Sequence, residues 1–189
     1  QCGSADEERC NVVVSWYACQ KLGAAAVLLH SRLLPEELAR MTKTAGASVL
    51  IYSPEYSSKA AYIAEHEAGV RLAITNGRPE QTGHYELGEL IRLGNGTDFG
   101  TEYAADSPCT ILFTSGTTGV SKAIVRTQKM MSIYADVIVE DGVSDYGREV
   151  MLTPAPLYHA AGLCCVVKMA RLAGTLVLED CFCPDQICR

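Results

Sequence analysis

The stretch of sequence that decides the fold reads Cys109-Thr110-Ile111-Leu112-Phe113 and then Thr114-Ser115-Gly116-Thr117-Thr118-Gly119-Val120-Ser121-Lys122. Its first part is a mostly apolar run, typical of a buried β-strand. The residues that follow, 114–119, all have small side chains, so backbone N–H groups can approach an anion closely. Four hydroxyls add hydrogen-bond donors and Lys122 adds a positive charge. The pattern predicts a phosphate-binding loop directly after a strand.

The spacing of this loop differs from that of a Walker A loop, which has four residues between its glycines and a lysine directly after the second. Here two residues separate Gly116 from Gly119, and Lys122 follows three positions later. A kinase or ATPase is therefore disfavoured, also because the chain lacks paired aspartates for a metal. Composition alone leaves a flexible Ser/Thr/Gly surface loop as the other interpretation.

Helices and strands are predicted to alternate on both sides of the loop. Apolar periodicity and end signals predict helices over 6–22, 35–45, 58–67, 85–93, 127–139 and 158–172. Apolar runs predict strands over 24–29, 49–52, 70–75, 109–113, 122–125, 150–153 and 175–178. Turn-forming residues concentrate in 76–107, which we expect to be a surface excursion. The alternation predicts an α/β fold of doubly wound, mostly parallel sheets with helices on both faces, and ligands bind beyond the carboxyl ends of such strands.

Composition excludes several classes of protein. The 189 residues carry a formal net charge of −6, and 48% of them are hydrophobic, which is enough to bury a core and excludes a disordered linker. The chain has no apolar run near the roughly 20 residues that span a bilayer and no basic stripe that could neutralise phosphates. We therefore expect no transmembrane segment and no nucleic-acid partner.

The nine cysteines are an odd number, which argues against a closed disulfide framework. Cys19, Cys109 and the pair 164–165 lie in apolar context, as buried, reduced thiols of an intracellular protein do. A metal site formed by Cys181, Cys183 and Cys188 is the alternative, but this cluster lacks a CxxC pair and a nearby histidine. We expect no metal ligands among the site residues.

Three segments together resemble the superfamily of acyl-adenylate-forming (AMP-binding) enzymes, which includes acyl-CoA synthetases, firefly luciferase and peptide-synthetase adenylation domains. The stretch 113–122 resembles the phosphate-loop signature of that superfamily. Residues 21–38, from Lys21-Leu22-Gly23-Ala24 to Pro35-Glu36-Glu37-Leu38, are similar to its early helix–strand–helix motif. The third segment is Pro156-Leu157-Tyr158-His159 with Gly162-Leu163, which resembles the Pro-Leu-[Phe/Tyr]-His-x-x-Gly segment.

The resemblance implies a role for each matching position. In that family the loop holds the β- and γ-phosphates of ATP, and the aromatic–His pair lies near the acyl pocket and the reacting carboxylate. The residues implied to bind phosphate are Thr114, Ser115, Gly116, Thr117, Thr118, Gly119 and Lys122. Tyr158 and His159 are implied to bind the acid, with His159 as the candidate catalytic residue, a hydrogen-bond donor or positional gate rather than necessarily a base. The implied cofactors are ATP, Mg²⁺ and coenzyme A as co-substrate.

The sequence departs from the family pattern in two places. Ser121 and Ala123 flank Lys122 where the family usually has Pro and Gly, and Leu28, His30 and Ser31 replace the usual Pro, Asn and Pro. These departures leave a non-catalytic nucleotide-binding or scaffold module open as the alternative function.

The later motifs of the family have no counterpart in this sequence. Tyr-Gly-x-Thr-Glu, Thr-Gly-Asp and the small C-terminal domain with its catalytic lysine are not found, and Gln1 is not a natural start. We therefore expect 1–189 to be part of the large N-terminal adenylation domain, without the small domain and inactive alone. The expected activity is ATP-dependent conversion of a carboxylic acid, fatty or aryl, to an acyl-adenylate and then an acyl-CoA thioester. The location would be intracellular, either cytoplasmic or peroxisomal.

Overall fold

A computed structural model of the chain describes residues 5–97, 100–114, 121–139 and 146–179. The helices within these ranges are α1 (Ala5–Lys21), α2 (Pro35–Ala45), α3 (Ser57–His66), α4 (Leu87–Leu93), α5 (Gln128–Val139) and α6 (Ala160–Arg171). The strands are β1 (Ala26–Leu28), β2 (Val49–Tyr52), β3 (Leu72–Thr75), β4 (Tyr85–Glu86), β5 (Pro108–Thr114), β6 (Lys122–Thr127), β7 (Val150–Thr153) and β8 (Thr175–Leu178). The predicted mixed α/β fold is confirmed.

The described strands form three sheets, in the orders β1-β5-β6, β2-β3-β4 and β7-β8. Every pairing is parallel except that of β5 with β6, which is an antiparallel hairpin. β1 pairs with β5 across a long stretch of sequence, so the chain leaves the first sheet, builds the second, and returns. The two parallel strands of the first sheet, β1 at its edge and β5 at its centre, are thus far apart in the chain.

Local signals explain where α2 begins and ends. Pro35 occupies the first helical position, where a missing N–H costs nothing, and the Glu37 carboxylate accepts a hydrogen bond from the Leu34 N–H at 3.1 Å. The helix stops at Gly46, whose φ of 64° is left-handed and whose N–H bonds back to the last turn. The sequence predicted both ends.

The core beneath the first sheet joins α1, β1, β5, α5 and α6. Its buried residues are Trp16, Ala26, Cys109, Met131, Ala135, Leu163 and Val167. Two buried hydrogen bonds fix β5 within it: Trp16 Nε1 donates to Thr110 Oγ1 at 3.0 Å, and Gln20 Nε2 donates to the Cys109 carbonyl at 2.9 Å. A second core lies between α2, α3 and the β2-β3 pair. Strand β5 is therefore held firmly, which matters for the loop that follows it.

The ends of several predicted elements differ by one or two residues from those in the structure, and two of these differences change the description of a loop. The excursion 76–107 contains a short strand, β4, which pairs in parallel with β3 before α4 begins. The predicted helix 158–172 starts later, at Ala160, because the backbone of His159, the residue before the first helical position, is extended (φ −97°, ψ 148°). Tyr158 and His159 therefore lie in the loop before α6 and not on the helix.

None of the helices in the described ranges combines the length and the apolarity that a membrane crossing requires.

Candidate active site

The hairpin of β5 and β6 brings the two ends of the predicted phosphate loop together. Thr114 is the last residue of β5 and Lys122 the first of β6, and they are direct partners in the antiparallel register. Such partners have Cα atoms about 4.5–5.5 Å apart, and both side chains are exposed. The remaining predicted phosphate ligands, Ser115, Gly116, Thr117, Thr118 and Gly119, lie outside the described residues, so their roles stay predictions.

The strand that leads into the loop is buried at three of its seven positions, Cys109, Thr110 and Leu112, and its two ends are exposed. Cys109 and Thr110 are fully inaccessible, and Leu112 is 5% exposed. Burial raises the pKa of the Cys109 thiol, which keeps it protonated and inert. Because β5 is fixed by its core contacts, the loop begins from a rigid support.

The carboxyl end of β1 lies beside the beginning of the loop. The two strands are parallel, with Leu28 opposite Leu112. His30 and Thr114 each follow two residues later in their own strand direction. Both therefore lie at the carboxyl edge of the first sheet, where α/β folds bind their ligands.

The loop that carries Tyr158 and His159 is folded tightly against the start of α6. The His159 N–H donates to the Pro156 carbonyl at 3.0 Å, and the Leu163 N–H donates to the His159 carbonyl at 3.2 Å. Gly162 permits this approach, since a Cβ there would lie only 2.8 Å from the Ala155 carbonyl oxygen. Steric crowding by backbone oxygens thus explains why the segment 156–163 has a glycine at position 162.

His30 connects this loop to the first sheet. Its ring stacks on that of Tyr158, with centroids 4.2 Å apart and planes 18° from parallel. Tyr158 in turn lies against His159, with a centroid distance of 5.4 Å and an angle of 45°. Sequence reasoning missed this role, because His30 was noticed only as a departure from the usual Asn. That departure, in the loop that follows β1, was the available signal.

The surroundings of His30 are electropositive. Its pKa is lowered first by partial burial and then by the charges of His159, Arg32 and Lys59. Lys59 Nζ donates to the carbonyls of Ser31 and Leu33 at 2.7 and 2.9 Å, which fixes the loop after β1. An anion placed here would be attracted by every one of these groups.

The hydroxyl residues of 114–119 and Lys122 are better suited to a polyphosphate than to a metal ion alone. Small hydroxyl side chains and a lysine at the mouth of a hairpin are typical phosphate ligands. Mg²⁺ usually adds one or two protein carboxylates to phosphate and water oxygens. Within the part of the chain that the structure describes, no group of three or more His, Cys, Asp or Glu side chains could hold a metal ion. The described residues therefore do not define a magnesium site by themselves.

Parallel strand ends, a Gly/Ser/Thr sequence between β5 and β6 and two nearby histidines are features typical of α/β domains that bind anionic ligands. The AMP-binding enzyme family matches residues 3–188, and the chain belongs to that family.

Curated proteins that this chain resembles include CoA ligases. The chain is 31% identical over 174 residues to a feruloyl-CoA synthase of Amycolatopsis sp., a match that covers 90% of this chain and 32% of that protein. It is 28% identical over 162 residues to a long-chain-fatty-acid–CoA ligase of Mycobacterium tuberculosis, covering 86% and 31% of the two chains. The chain spans about a third of the length of the curated relatives it matches.

Solved structures agree with the fold. The inhibitor-bound N-terminal domain of FACL13 from Mycobacterium tuberculosis superimposes with a TM-score of 0.79 at 27% identity, covering 91% of this chain and 42% of that domain. The apo structure of MbtA from Mycobacterium smegmatis gives a TM-score of 0.84 at 20% identity, covering 94% and 33%. The second match supports the fold alone.

Proposed function

We propose that this chain is part of an enzyme that uses ATP to join a carboxylic acid to the thiol of coenzyme A. The observation that carries the proposal is the placement of the Thr114–Lys122 hairpin mouth at the same sheet edge as His30, Tyr158 and His159. The first group suits the phosphates of ATP and the second suits a carboxylate. The names of the relatives, which are ligases of aromatic and fatty acids, support the same reaction.

The reaction has two steps. A carboxylate oxygen attacks the α-phosphorus of ATP, the bond to the β-phosphate oxygen breaks, and pyrophosphate leaves. A thiolate then attacks the acyl carbon, and AMP leaves with the electron pair of the broken C–O bond. In the first step two anions must approach each other, so fixed donors have to offset the repulsion.

We assign different parts of this reaction to different residues of the chain. We assign the β- and γ-phosphates to the loop 114–119 and to Lys122, whose ammonium neutralises charge that develops on pyrophosphate. Mg²⁺, when bound, would supply further neutralisation on the same phosphates. His159 donates a hydrogen bond to the carboxylate or gates its entry, and the ring of Tyr158 borders the acyl group.

The proposal is tested by ATP–pyrophosphate exchange with the longest product of the gene that contains these residues. Exchange that depends on an added fatty or aryl acid is expected. Lys122→Ala should reduce its kcat/KM by about 10²–10³-fold, the usual effect of removing one preorganised donor. Lys129→Ala, which removes an exposed lysine of α5, is the matched control and should leave exchange unchanged.

Products decide between this reaction and phosphoryl transfer. Release of AMP supports the proposal, whereas release of ADP would mean that the hairpin serves a kinase or ATPase. We also propose that residues 1–189 are a partial adenylation domain that does not turn over without the rest of the enzyme. Robust acid-dependent exchange by the 189 residues alone would refute that part.

A nucleotide-binding or scaffold module without catalysis is the second candidate. Ser121 and Ala123 favour it, because the fixed φ of a proline and the backbone freedom of a glycine are both missing beside Lys122. Binding of ATP by the longest gene product, with no exchange for any acid tested, would support this candidate. The cysteine pattern keeps an intracellular location as a prediction; the five cysteines in the described ranges are free thiols.

A further inference from the structure

The stack of His30 on Tyr158 joins two segments that are 128 positions apart in the sequence. His30 follows β1, in a loop that Lys59 of α3 ties down through two backbone carbonyls. Tyr158 precedes α6, in the tight turn that Gly162 permits. The contacts that fix these two loops thus do not involve the stacked rings. The stack is the contact between the loop after β1 and the loop before α6.

One hydrogen bond of the His30 ring indicates its tautomer. The Arg32 N–H donates to His30 Nδ1 at 3.3 Å, so Nδ1 is an acceptor and the neutral ring carries its proton on Nε2. Partial burial and the charges of His159, Arg32 and Lys59 lower the pKa of His30, which favours the same neutral form. These three groups come from the loop before α6, from the loop of His30 itself and from α3.

The neutral His30 ring contacts its neighbour Tyr158 as an uncharged aromatic surface. The near-parallel ring of His30 meanwhile restricts the rotation of Tyr158, which adjoins His159.

We propose that His30 is a positioning residue of this site: its ring is the platform on which Tyr158 stacks, and through Tyr158 it fixes the orientation of the His159 imidazole at the end of β1. The inference rests on the proposed function only for the identity of the anion, a carboxylate. The stack and the coupling of the two imidazoles are properties of the chain itself.

The experiment is an NMR titration of the 189-residue chain labelled with ¹³C and ¹⁵N in its four histidines. We expect the ring protons of His30 to be shifted upfield by the face of Tyr158 and its pKa to lie below the ordinary 6.5. Tyr158→Leu should abolish the upfield shift, and His159→Gln should raise the pKa of His30. A His30 with no ring-current shift, or one that titrates unchanged in both variants, would overturn the proposal.

Two substitutions at position 30 separate the ring from its hydrogen bond. His30→Phe keeps a flat ring and loses the acceptor, while His30→Asn keeps an acceptor and loses the ring. If the ring positions Tyr158, the signals of His159 stay near their wild-type positions in His30→Phe and move in His30→Asn. The reverse pattern would show that the ring is not a platform and would reject the role.

A second tyrosine–histidine stack provides the control. Tyr62 and His66 stack on α3 at 3.9 Å and 13°, outside the candidate site. Tyr62→Leu should change the signals of His66 and leave those of His30 and His159 in place. If it moves all three, the chain responds globally to the loss of any stack, and the specific role of His30 is rejected.

Benzoate and its neutral analogue benzamide distinguish this inference from the proposed function. Benzoate should raise the pKa of His30 in the wild-type chain, because an anion offsets the surrounding positive charges, and benzamide should not. If benzoate has no effect while the stack and both variants behave as expected, the proposed function is weakened and the positioning role is supported.

Activity of the longest gene product gives a further readout. His30→Asn should raise the KM for the acid on the order of tenfold while the KM for ATP stays constant, because misplacing a positioning group affects the ligand it orients. His30→Phe should restore most of that loss. An equal rise in both KM values in His30→Asn would indicate general damage and contradict the proposal.

Discussion

Gly162 lies in the first turn of α6, where the carbonyls of the preceding loop pass over the helix. A Cβ at this position would collide with the Pro156 carbonyl oxygen and lie 2.8 Å from that of Ala155. The neighbouring atoms are backbone, which cannot swing aside as a side chain can. The absence of a side chain at Gly162 therefore lets the loop that carries Tyr158 and His159 pack tightly against the start of α6.

Gly162→Ala is therefore expected to reduce the free energy of unfolding by about 1–3 kcal/mol, the usual cost of overpacking. The measurement is denaturant unfolding followed by circular dichroism. Gly69→Ala is the matched control, because its Cβ would make only an ordinary contact of 3.7 Å with the Ala47 carbonyl. If the two variants lose the same stability, the close approach at Gly162 is not what the site depends on.

Strand β5 is the element on which the candidate site rests. α1 holds it through the buried Trp16–Thr110 hydrogen bond, and Thr110 is fully inaccessible. Removing one partner leaves a buried polar group unsatisfied, which costs more than the net worth of the bond.

Trp16→Phe and Thr110→Val test this link as a double-mutant cycle. Each single change should cost about 1–3 kcal/mol from the unsatisfied partner, with an added packing loss for Trp16→Phe. Together they should cost less than the sum of the two, because the double variant leaves no orphaned group. Strictly additive losses in thermal or denaturant unfolding would show that the bond does not couple α1 to β5.

The sequence predicted the elements better than their pairing. Pro35 and Gly46 mark the ends of α2 by local backbone chemistry, and the apolar runs of β2, β7 and β8 are short and well bounded. The pairing of β1 with β5 depends on contacts across more than 80 positions, which no local pattern encodes. The two-residue strand β4 is too short to show any periodicity.

In the candidate site, too, local features could be predicted from the sequence and long-range contacts could not. The order of small and hydroxyl residues in 114–119 is a local property of the sequence, so the phosphate loop could be predicted from it, and that role stays a prediction. The partnership of His30 with Tyr158 arises only when the sheet forms, so sequence reasoning found the two residues separately and missed their contact.

The whole molecule leaves apolar surface uncovered in the described ranges. On α5, Met130, Ile133 and Val137 are 55%, 52% and 61% exposed and recur at helical spacing, while Met131 and Ala135 on the other face are buried. Val150 and Leu152 of β7 are exposed as well. Contiguous apolar surface of this kind binds hydrophobic dyes.

We expect the 189-residue chain to bind such a dye in its folded state, and the triple variant Met130→Lys, Ile133→Gln, Val137→Lys to bind clearly less. The free energy of unfolding should change by less than about 1 kcal/mol, since none of the three side chains is buried. Met131→Lys, on the buried face, is the contrasting change and should unfold the chain. Unchanged dye fluorescence in the triple variant would mean that the dye binds to a surface other than this face of α5.

The pairing of Thr114 with Lys122 also determines on which face of the hairpin the lysine side chain lies. From Thr110 to Thr114 each residue of β5 faces one residue of β6, and the register irregularity lies at the far end, between Pro108 and Thr110. Because side chains alternate between the faces of a sheet, a slip of one residue would send Lys122 to the opposite face. The irregular pairing lies at the end of the hairpin that is away from the loop, so it does not affect the register at Lys122. Insertion or deletion of one residue in β6 would therefore turn the Lys122 ammonium to the other face while the composition of the loop stays the same.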